Sequence, residues 1–415
     1  MFRANSKHSG IVRRQDTEEN NSEVNPMQET RPAYKKEIST ETLVFPLIFV
    51  AFFALFAVRM GLANTLNTIM NTAYRLLIDT VLYITAVCVI MGAVSSLLAE
   101  FGFVSLIHRI LQPLMKPLYD LPGVAALGIA TTFLSDNPAI LTLAEDKGFR
   151  RYFRKYQFPA LTNLGTSFGM GLIVCTYMYS LSSLAGTSLA GAVLVGLSGA
   201  AIGSVVSTRL MLVFTKRVFG TEEMMPQGEG DEGQIPEGMR IVREGSVPGR
   251  AMAALLEGGM SGVRMGVSII PGVLIICTIV MMLINGPSES GAYTGSAYEG
   301  IRLLPLLAGK MSFLLRPLFG FSSPEAIGVP VTALGAAGAS LGLTANLVAK
   351  GLAGANDIAV FTAMCMCWSG YLSTHASMMD TLHCRELIGK AVLCHTIGGI
   401  TAGAAAHWLF LLLGL

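Results

Sequence analysis

The chain has 415 residues, 52% of them apolar and only 13% charged, with a formal net charge of +2. A soluble globular protein is nearer a quarter charged, so a soluble enzyme or scaffold is excluded. A near-neutral balance also gives nucleic acid no electrostatic footing as a partner. The seven cysteines fall in or beside apolar segments rather than in a spaced framework, which argues against disulfides.

Residues 1–41 are polar and charged, carry Arg3, Lys7, Arg13, Arg14, Arg31, Lys35 and Lys36, and contain no apolar core. They are expected to be a disordered cytoplasmic tail rather than a signal peptide. Residues 42–71 predict a first transmembrane helix, "LVFPLIFVAFFALFAVRMGLA" (43–63), and then an outer loop without Lys or Arg at 61–71. "LLIDTVLYITAVCVIMGAVSSLLA" (76–99) is long enough to cross a bilayer, which takes about 20 apolar residues.

The next stretch, 106–143, is interrupted by Pro113, Pro117, Pro122 and Pro138. Basic residues concentrate on the cytoplasmic side of membrane proteins. The cluster Lys147, Arg150, Arg151, Arg154 and Lys155 therefore lies on the side where helix 76–99 ends. The broken stretch must cross an even number of times or not at all, which predicts an interfacial helix and a re-entrant hairpin. Non-helical backbone survives at membrane depth only where protein or a watery cavity receives its polar groups. Spans over 158–181 and 188–214 complete the half.

A Gly- and Glu-rich segment at 215–249 reads as a cytoplasmic linker. Beyond it the pattern repeats: a span at 265–284, a polar segment at 286–300 without Lys or Arg, another proline-broken stretch, and spans at 357–376 and 387–413. "KPLYDLPGVAALGIAT" (116–131) aligns with "RPLFGFSSPEAIGVPVT" (316–332), and "FPALTNLGTS" (158–167) with "FTAMCMCWSG" (361–370). Both matches share an offset of about 200 residues.

The predicted fold is an all-α polytopic membrane protein. It has two inverted repeats, 72–214 and 250–415, each with three spanning helices and a re-entrant hairpin, plus one extra N-terminal helix. Arg302, Lys310 and Arg316 fall on the predicted outer side, against the rule. The N-terminus is predicted cytoplasmic, in an inner or plasma membrane.

Paired inverted repeats with broken helices mark secondary transporters, whose substrate sits near the midplane between repeats. "SDNPA" (135–139) and "SSPEA" (322–326) read as helix starts: Ser135 or Asp136 can cap the first, Ser322 or Ser323 the second. A proline follows in each. Asp136 and Glu325 are acids within apolar surroundings, where ionised groups are costly. Asp79 and Asp357 share that setting, Asp79 close enough to a helix end to reach water. The plain alternative for both motifs is interfacial capping.

The clusters "TNLGTS" (162–167) and "SGYLSTH" (369–375) occupy matched positions. The candidate solute-binding residues are thus Asp136, Asn137, Asn163, Thr166, Ser167, Ser322, Ser323, Glu325, Ser369, Ser373 and Thr374. The alternative for the hydroxyls is a bond to their own helix carbonyls. A Cys/His concentration (Cys365, Cys367, His375, His383, Cys384, Cys394, His395) suits soft transition metals. Within it, Cys367 and His375 share a helical face. Phosphate-loop (G-x-x-x-x-G-K-[ST]) and H-E-x-x-H metalloprotease motifs do not occur, so neither an enzyme nor an intrinsic motor is expected.

The two halves, each with a "PL(Y/F)…P…A" segment and a broken hairpin, resemble the Gate (nucleoside-recognition) domain. That domain occurs in concentrative nucleoside transporters, the membrane part of ferrous-iron transporter B, and spore maturation proteins A and B. The resemblance covers roughly 76–214 and 255–413, and its motifs are diffuse. It implies a gradient-driven transporter of a small polar solute such as a nucleoside or related metabolite. By analogy, Na+ or H+ would serve as coupling ion, with no other cofactor. The partners implied are the solute, the lipid bilayer and further copies of the chain in a homo-oligomer. The GTPase domain of the iron transporter is missing. A transition-metal permease and a non-transporting envelope protein of the spore-maturation kind remain the alternatives.

Overall fold

The computed structural model describes residues 37–145, 147–226, 242–288 and 290–415. Most of the predicted N-terminal tail and the middle of the predicted linker lie outside the described residues. The chain divides into two units, Met1–Phe52 and Phe53–Leu415. In the first, Phe45 and Phe49 stack one turn apart, 6.5 Å between ring centroids. They belong to the N-terminal turns of the apolar helix Thr40–Met60.

The second unit is helical. Among the described residues there is one isolated bridge, Arg154 to Met224, and no strand. Among the described residues six helices are long and apolar enough to cross a membrane: Thr40–Met60, Leu62–Glu100, Ala160–Ala185, Ala190–Phe219, Val247–Ile284 and Arg385–Leu412. Phe103–Tyr119 and Gly123–Leu134 form a further pair bent by 115°. This is the predicted interfacial helix followed by the first arm of a hairpin.

Two expectations change. Residues 61–71, predicted as an outer loop, are helical from Leu62 onward and begin the helix that ends at Glu100. The predicted span 357–376 is two shorter helices, Ala355–Trp368 and Tyr371–Thr381, parted at Ser369-Gly370. Gly370 there has φ +69°, a left-handed conformation that costs glycine little.

The halves share one order of elements. Leu62–Glu100 matches Val247–Ile284, and Phe103–Tyr119 matches the helices Leu303–Lys310 and Ser312–Phe319. Hairpin 1 has arms Gly123–Leu134 and Ala139–Glu145. Hairpin 2 has arms Gly328–Gly335, entered by the turn Pro324–Ile327, and Ala337–Ala349. Broken helix 1 (Ala160–Thr166, Gly171–Ser180) matches broken helix 2 (Ala355–Trp368, Tyr371–Thr381). Each half closes on a long helix.

Glycines show that the halves are inverted. Along Val247–Ile284, Gly258 lies against Gly92 and Ser96, Gly262 against Cys88, and Gly266 against Thr85. As one number rises the other falls, so these equivalent helices are antiparallel. The closing helices behave alike: Gly199 lies against Ala402 and Ala406, Gly203 against Gly398 and Ala402. Some contacts are reciprocal. A Cβ on Gly92 would fall 2.5 Å from the Gly258 carbonyl oxygen, and one on Gly258 would fall 2.3 Å from that of Gly92. Such mutual contacts between equivalent helices are what a local two-fold axis produces. Small residues are the means of close backbone approach in lipid.

The turn before each hairpin is anchored in parallel fashion. Asp120 (φ +55°) and Gly320 (φ +60°) occupy equivalent left-handed positions. Gln157 Nε2 donates to the Asp120 carbonyl at 2.7 Å, and Asn356 Nδ2 donates to that of Gly320 at 3.0 Å. From the closing helices, Arg209 donates to the carbonyls of Leu118 and Pro117 at 2.7 and 2.6 Å. His407 Nδ1 lies 2.8 Å from Asn356 Oδ1.

Candidate functional site

Hairpin 1 turns at Ser135-Asp136-Asn137-Pro138, where Pro138 stops the first arm and Ala139 begins the second. Asp136 Oδ1 accepts from the backbone N–H of Asn137 at 2.7 Å, which makes the carboxylate a local organiser of the apex. The Asn137 side chain is fully buried and donates from Nδ2 to the carbonyl of Ser369 at 2.8 Å. That carbonyl is free because Ser369 and Gly370 break the helix. The apex of one half therefore engages the helix break of the other.

Broken helix 1 enters the same place. A Cβ on Gly169 would fall 1.3 Å from Asn137 Oδ1 and 3.2 Å from Ser369 Oγ, so glycine is the seat on which the apex rests. Deeper along broken helix 1, Asn163 Nδ2 donates to Ser207 Oγ at 3.0 Å and to the Ala391 carbonyl at 3.1 Å. These join the first half's broken helix to both closing helices.

Several polar atoms here are buried without a partner in the protein: Asn137 Oδ1, Asn163 Oδ1, Ser369 Oγ and both ring nitrogens of His375. A buried polar atom left unpaired costs about 1–3 kcal/mol. Asn137 Oδ1 and Ser369 Oγ, both close to Gly169, leave unused hydrogen-bonding capacity at the crossing. A pocket of about 60 Å³, between Ala308, Ser312, Arg316 and Ser323, has room for about two waters and lies by the entry turn of hairpin 2.

The predicted site residues thus divide. Asn137 and Ser369 come together at the crossing, whereas Asn163 bonds Ser207 and Ala391 of the two closing helices. Thr166, Ser167 and Thr374 bond carbonyls of their own helices, those of Thr162, Asn163 and Gly370 at 2.9, 2.8 and 3.4 Å. The Ser373 side chain lies outside the described residues.

Ser322, Ser323 and Glu325 were expected to mirror the apex of hairpin 1, and their placement corrects that expectation. They lie at the entry turn of hairpin 2, whose apex is Gly335-Ala336. The eleven-residue separation of Pro324 and Gly335 puts roughly 16 Å between entry and apex at helical rise. Glu325 is buried and pairs with Arg302 at 2.8 Å. Ser322 bonds Asp357 through its backbone N–H at 3.0 Å and through its hydroxyl. Asp357 also accepts from Gly354 N at 2.8 Å, so this buried acid caps broken helix 2 and ties it to the hairpin. Asp79 is half-exposed and pairs with Arg75.

For the metal alternative, the Cys367 thiol is directed to the Ala200 carbonyl at 3.7 Å. No group of three or more His, Cys, Asp or Glu side chains able to hold a metal ion occurs among the described residues. Cys367 and His375 are therefore not joined by a third donor in a shared ion site.

Sequence reasoning missed Gly169 as the seat of the apex and Ser207 as a partner of Asn163. A glycine between two helical pieces was the available signal for the first. Nothing in a single sequence announces the second, a contact across 44 residues.

The chain matches no family model and no curated protein. Among solved structures it is similar to a double variant of CNTnw, a concentrative nucleoside transporter, in an outward-facing state. The identity is 14%, the TM-score 0.50, and 90% of this chain and 85% of that chain are covered. It also matches CNTnw in an inward-facing substrate-bound state, with 13% identity, TM-score 0.47, and 81% and 76% coverage. The likeness is one of fold: the chain is built like that outward-facing CNTnw structure.

Proposed function

We propose that this protein is a gradient-driven transporter of a small, uncharged polar solute, with nucleosides and related metabolites the first class to try. The observation that carries this reading is the meeting of Asn137 with Ser369 across the two inverted halves, surrounded by unpaired buried polar atoms. A site between inverted repeats can be exposed to either side by moving one element against the other. Hairpin 1, whose Asn137 side chain bonds Ser369 at the crossing, suits that movement. Among the described residues no Lys or Arg side chain bonds Asn137 or Ser369 at the crossing, which favours a neutral solute over a phosphate or carboxylate.

The basic clusters set the orientation we propose, with the N-terminus and the 215–249 linker cytoplasmic in a cell membrane. Purified protein in liposomes should accumulate a radiolabelled nucleoside when a Na+ or pH gradient is imposed, and Asn137→Ala should abolish accumulation. Failure of every nucleoside, nucleobase and related metabolite to accumulate under either gradient would overturn the reading.

A further inference from the structure

Arg316 stands where the first half has Lys116, since "KPLYD" (116–120) aligns with "RPLFG" (316–320). In the first half the charge is met four residues on, by Asp120 at 3.4 Å. In the second half that position is Gly320, where any side chain would set a Cβ 2.1 Å from the His407 ring. Among the described residues the Arg316 side chain has no ion-pair or hydrogen-bond partner, and neither has that of Lys310. Arg302, the other basic residue on the predicted outer side, is taken by Glu325 at 2.8 Å. Two of the three charges that break the rule for that side are thus left without a counter-charge.

Arg316 borders the pocket of about 60 Å³, together with Ser312 of its own helix and Ser323 of the entry turn. Ser323 Oγ is buried and unpaired, and the Ser312 hydroxyl has no partner among the described residues. The nearby carboxylates are occupied, Glu325 by Arg302 and Asp357 by Ser322 and Gly354. A guanidinium and two unpartnered hydroxyls form a donor set for an anion, and the planar guanidinium fork matches a pair of phosphate oxygens. Room for about two waters suits the two non-bridging oxygens of a phosphodiester.

The same helix, Ser312–Phe319, has a second face. Ser312, Leu315 and Arg316 line the pocket, whereas Phe313 is 80% exposed and Leu314 is exposed beside it. Leu306 and Leu307 of the preceding helix are exposed as well. A basic, hydroxyl-lined pocket flanked by exposed apolar side chains fits a molecule with a phosphate at one end and acyl chains at the other. We propose that this pocket binds the phosphodiester of an anionic phospholipid headgroup. Arg316 meets the phosphate, Ser312 and Ser323 donate to it, and Lys310, next to the pocket residue Gly309, adds attraction at the membrane surface. The lipid supplies at hairpin 2 the negative charge that Asp120 supplies at hairpin 1. The site stands whether or not the protein moves a solute.

The test is thermal unfolding of the delipidated, detergent-purified full chain, titrated separately with phosphatidylglycerol, phosphatidylcholine and inorganic phosphate. Phosphatidylglycerol should raise the midpoint with its concentration, and phosphatidylcholine should do so much less. Arg316→Gln, a change at an exposed residue, should need about tenfold more phosphatidylglycerol for the same rise, as loss of one charge-assisted bond implies. Ser323→Ala should shift the titration in the same direction by less, and Lys116→Gln should respond like the wild type. An unchanged response in Arg316→Gln, an equal loss in Lys116→Gln, or an equal rise with phosphatidylcholine would overturn the site. An equal rise with inorganic phosphate would keep the phosphate pocket and overturn its lipid occupant.

Discussion

Asn137, at the apex of hairpin 1, donates its side-chain N–H to the carbonyl oxygen of Ser369, at the break in the other half's helix, at 2.8 Å. Both groups are buried. Removing the donor leaves a buried carbonyl unpaired, at about 1–3 kcal/mol. Asn137→Ala should lower the melting temperature, and Asn137→Asp should lower it further by setting a carboxylate against a carbonyl. Thermal unfolding monitored by tryptophan fluorescence checks both, and an unchanged midpoint in either would remove the bond from the account.

Gly169 and Asn137 should behave as one unit. The Cβ of Gly169→Ala would displace Asn137 Oδ1, and with it the bond to Ser369. The two substitutions should therefore be non-additive, Gly169→Ala adding little to Asn137→Ala. Independent sites add within about 0.3–0.5 kcal/mol. A double-mutant cycle on thermal stability that closes within that margin would show that the two are not coupled.

The antiparallel helix pair offers a test with an internal control. Gly258→Ala would set a Cβ 2.3 Å from the Gly92 carbonyl oxygen, which is backbone, so the helices must separate. Overpacking of this kind costs about 1–3 kcal/mol. At neighbouring Gly259 the nearest atoms would lie 3.7 Å away, an ordinary contact. Gly258→Ala should reduce stability and yield in detergent while Gly259→Ala leaves both intact; equal loss in the two would contradict the packing.

Acid should weaken the anchor of hairpin 1. Burial pushes the Asp120 carboxyl up, but the bond and charge of Lys216, with Lys116 behind it, outweigh this and hold it below its ordinary value. The unfolded group titrates near pH 4. Stability from this group is therefore present above about pH 4 and lost as the pH falls through the lower folded value. Melting curves between pH 7 and 3 should fall less steeply for Asp120→Asn, a residue that also tolerates the left-handed turn. Parallel curves for the two proteins would count against it.

Much of the fold was legible because its signals are local. Apolar runs marked the long helices, and proline placed the interfacial helix and hairpin 1. The offset of about 200 residues between the "PLYD" and "PLFG" segments located the equivalent turns at Asp120 and Gly320. The apex of hairpin 2 was not legible. Gly335-Ala336 carries no polar side chain, so Ser323-Pro324-Glu325, which resembles the hairpin 1 apex in composition, drew the assignment one helix too early. The break at Ser369-Gly370 was hidden likewise, since a single glycine in an apolar run carries little signal. At the site, Asn137 and Asn163 stood out as amides in apolar surroundings, whereas their partners depend on how the two halves meet.

The central claim is that a solute binds where hairpin 1 meets the broken helix of the other half. Thermal stability of the detergent-purified protein against a panel of nucleosides, nucleobases and small polar metabolites tests it most directly, because a ligand of the folded state raises the midpoint with its concentration. At least one solute should raise the midpoint of the wild type and fail to raise that of Asn137→Ala. A solute that stabilises both proteins equally would place its site elsewhere and contradict the claim.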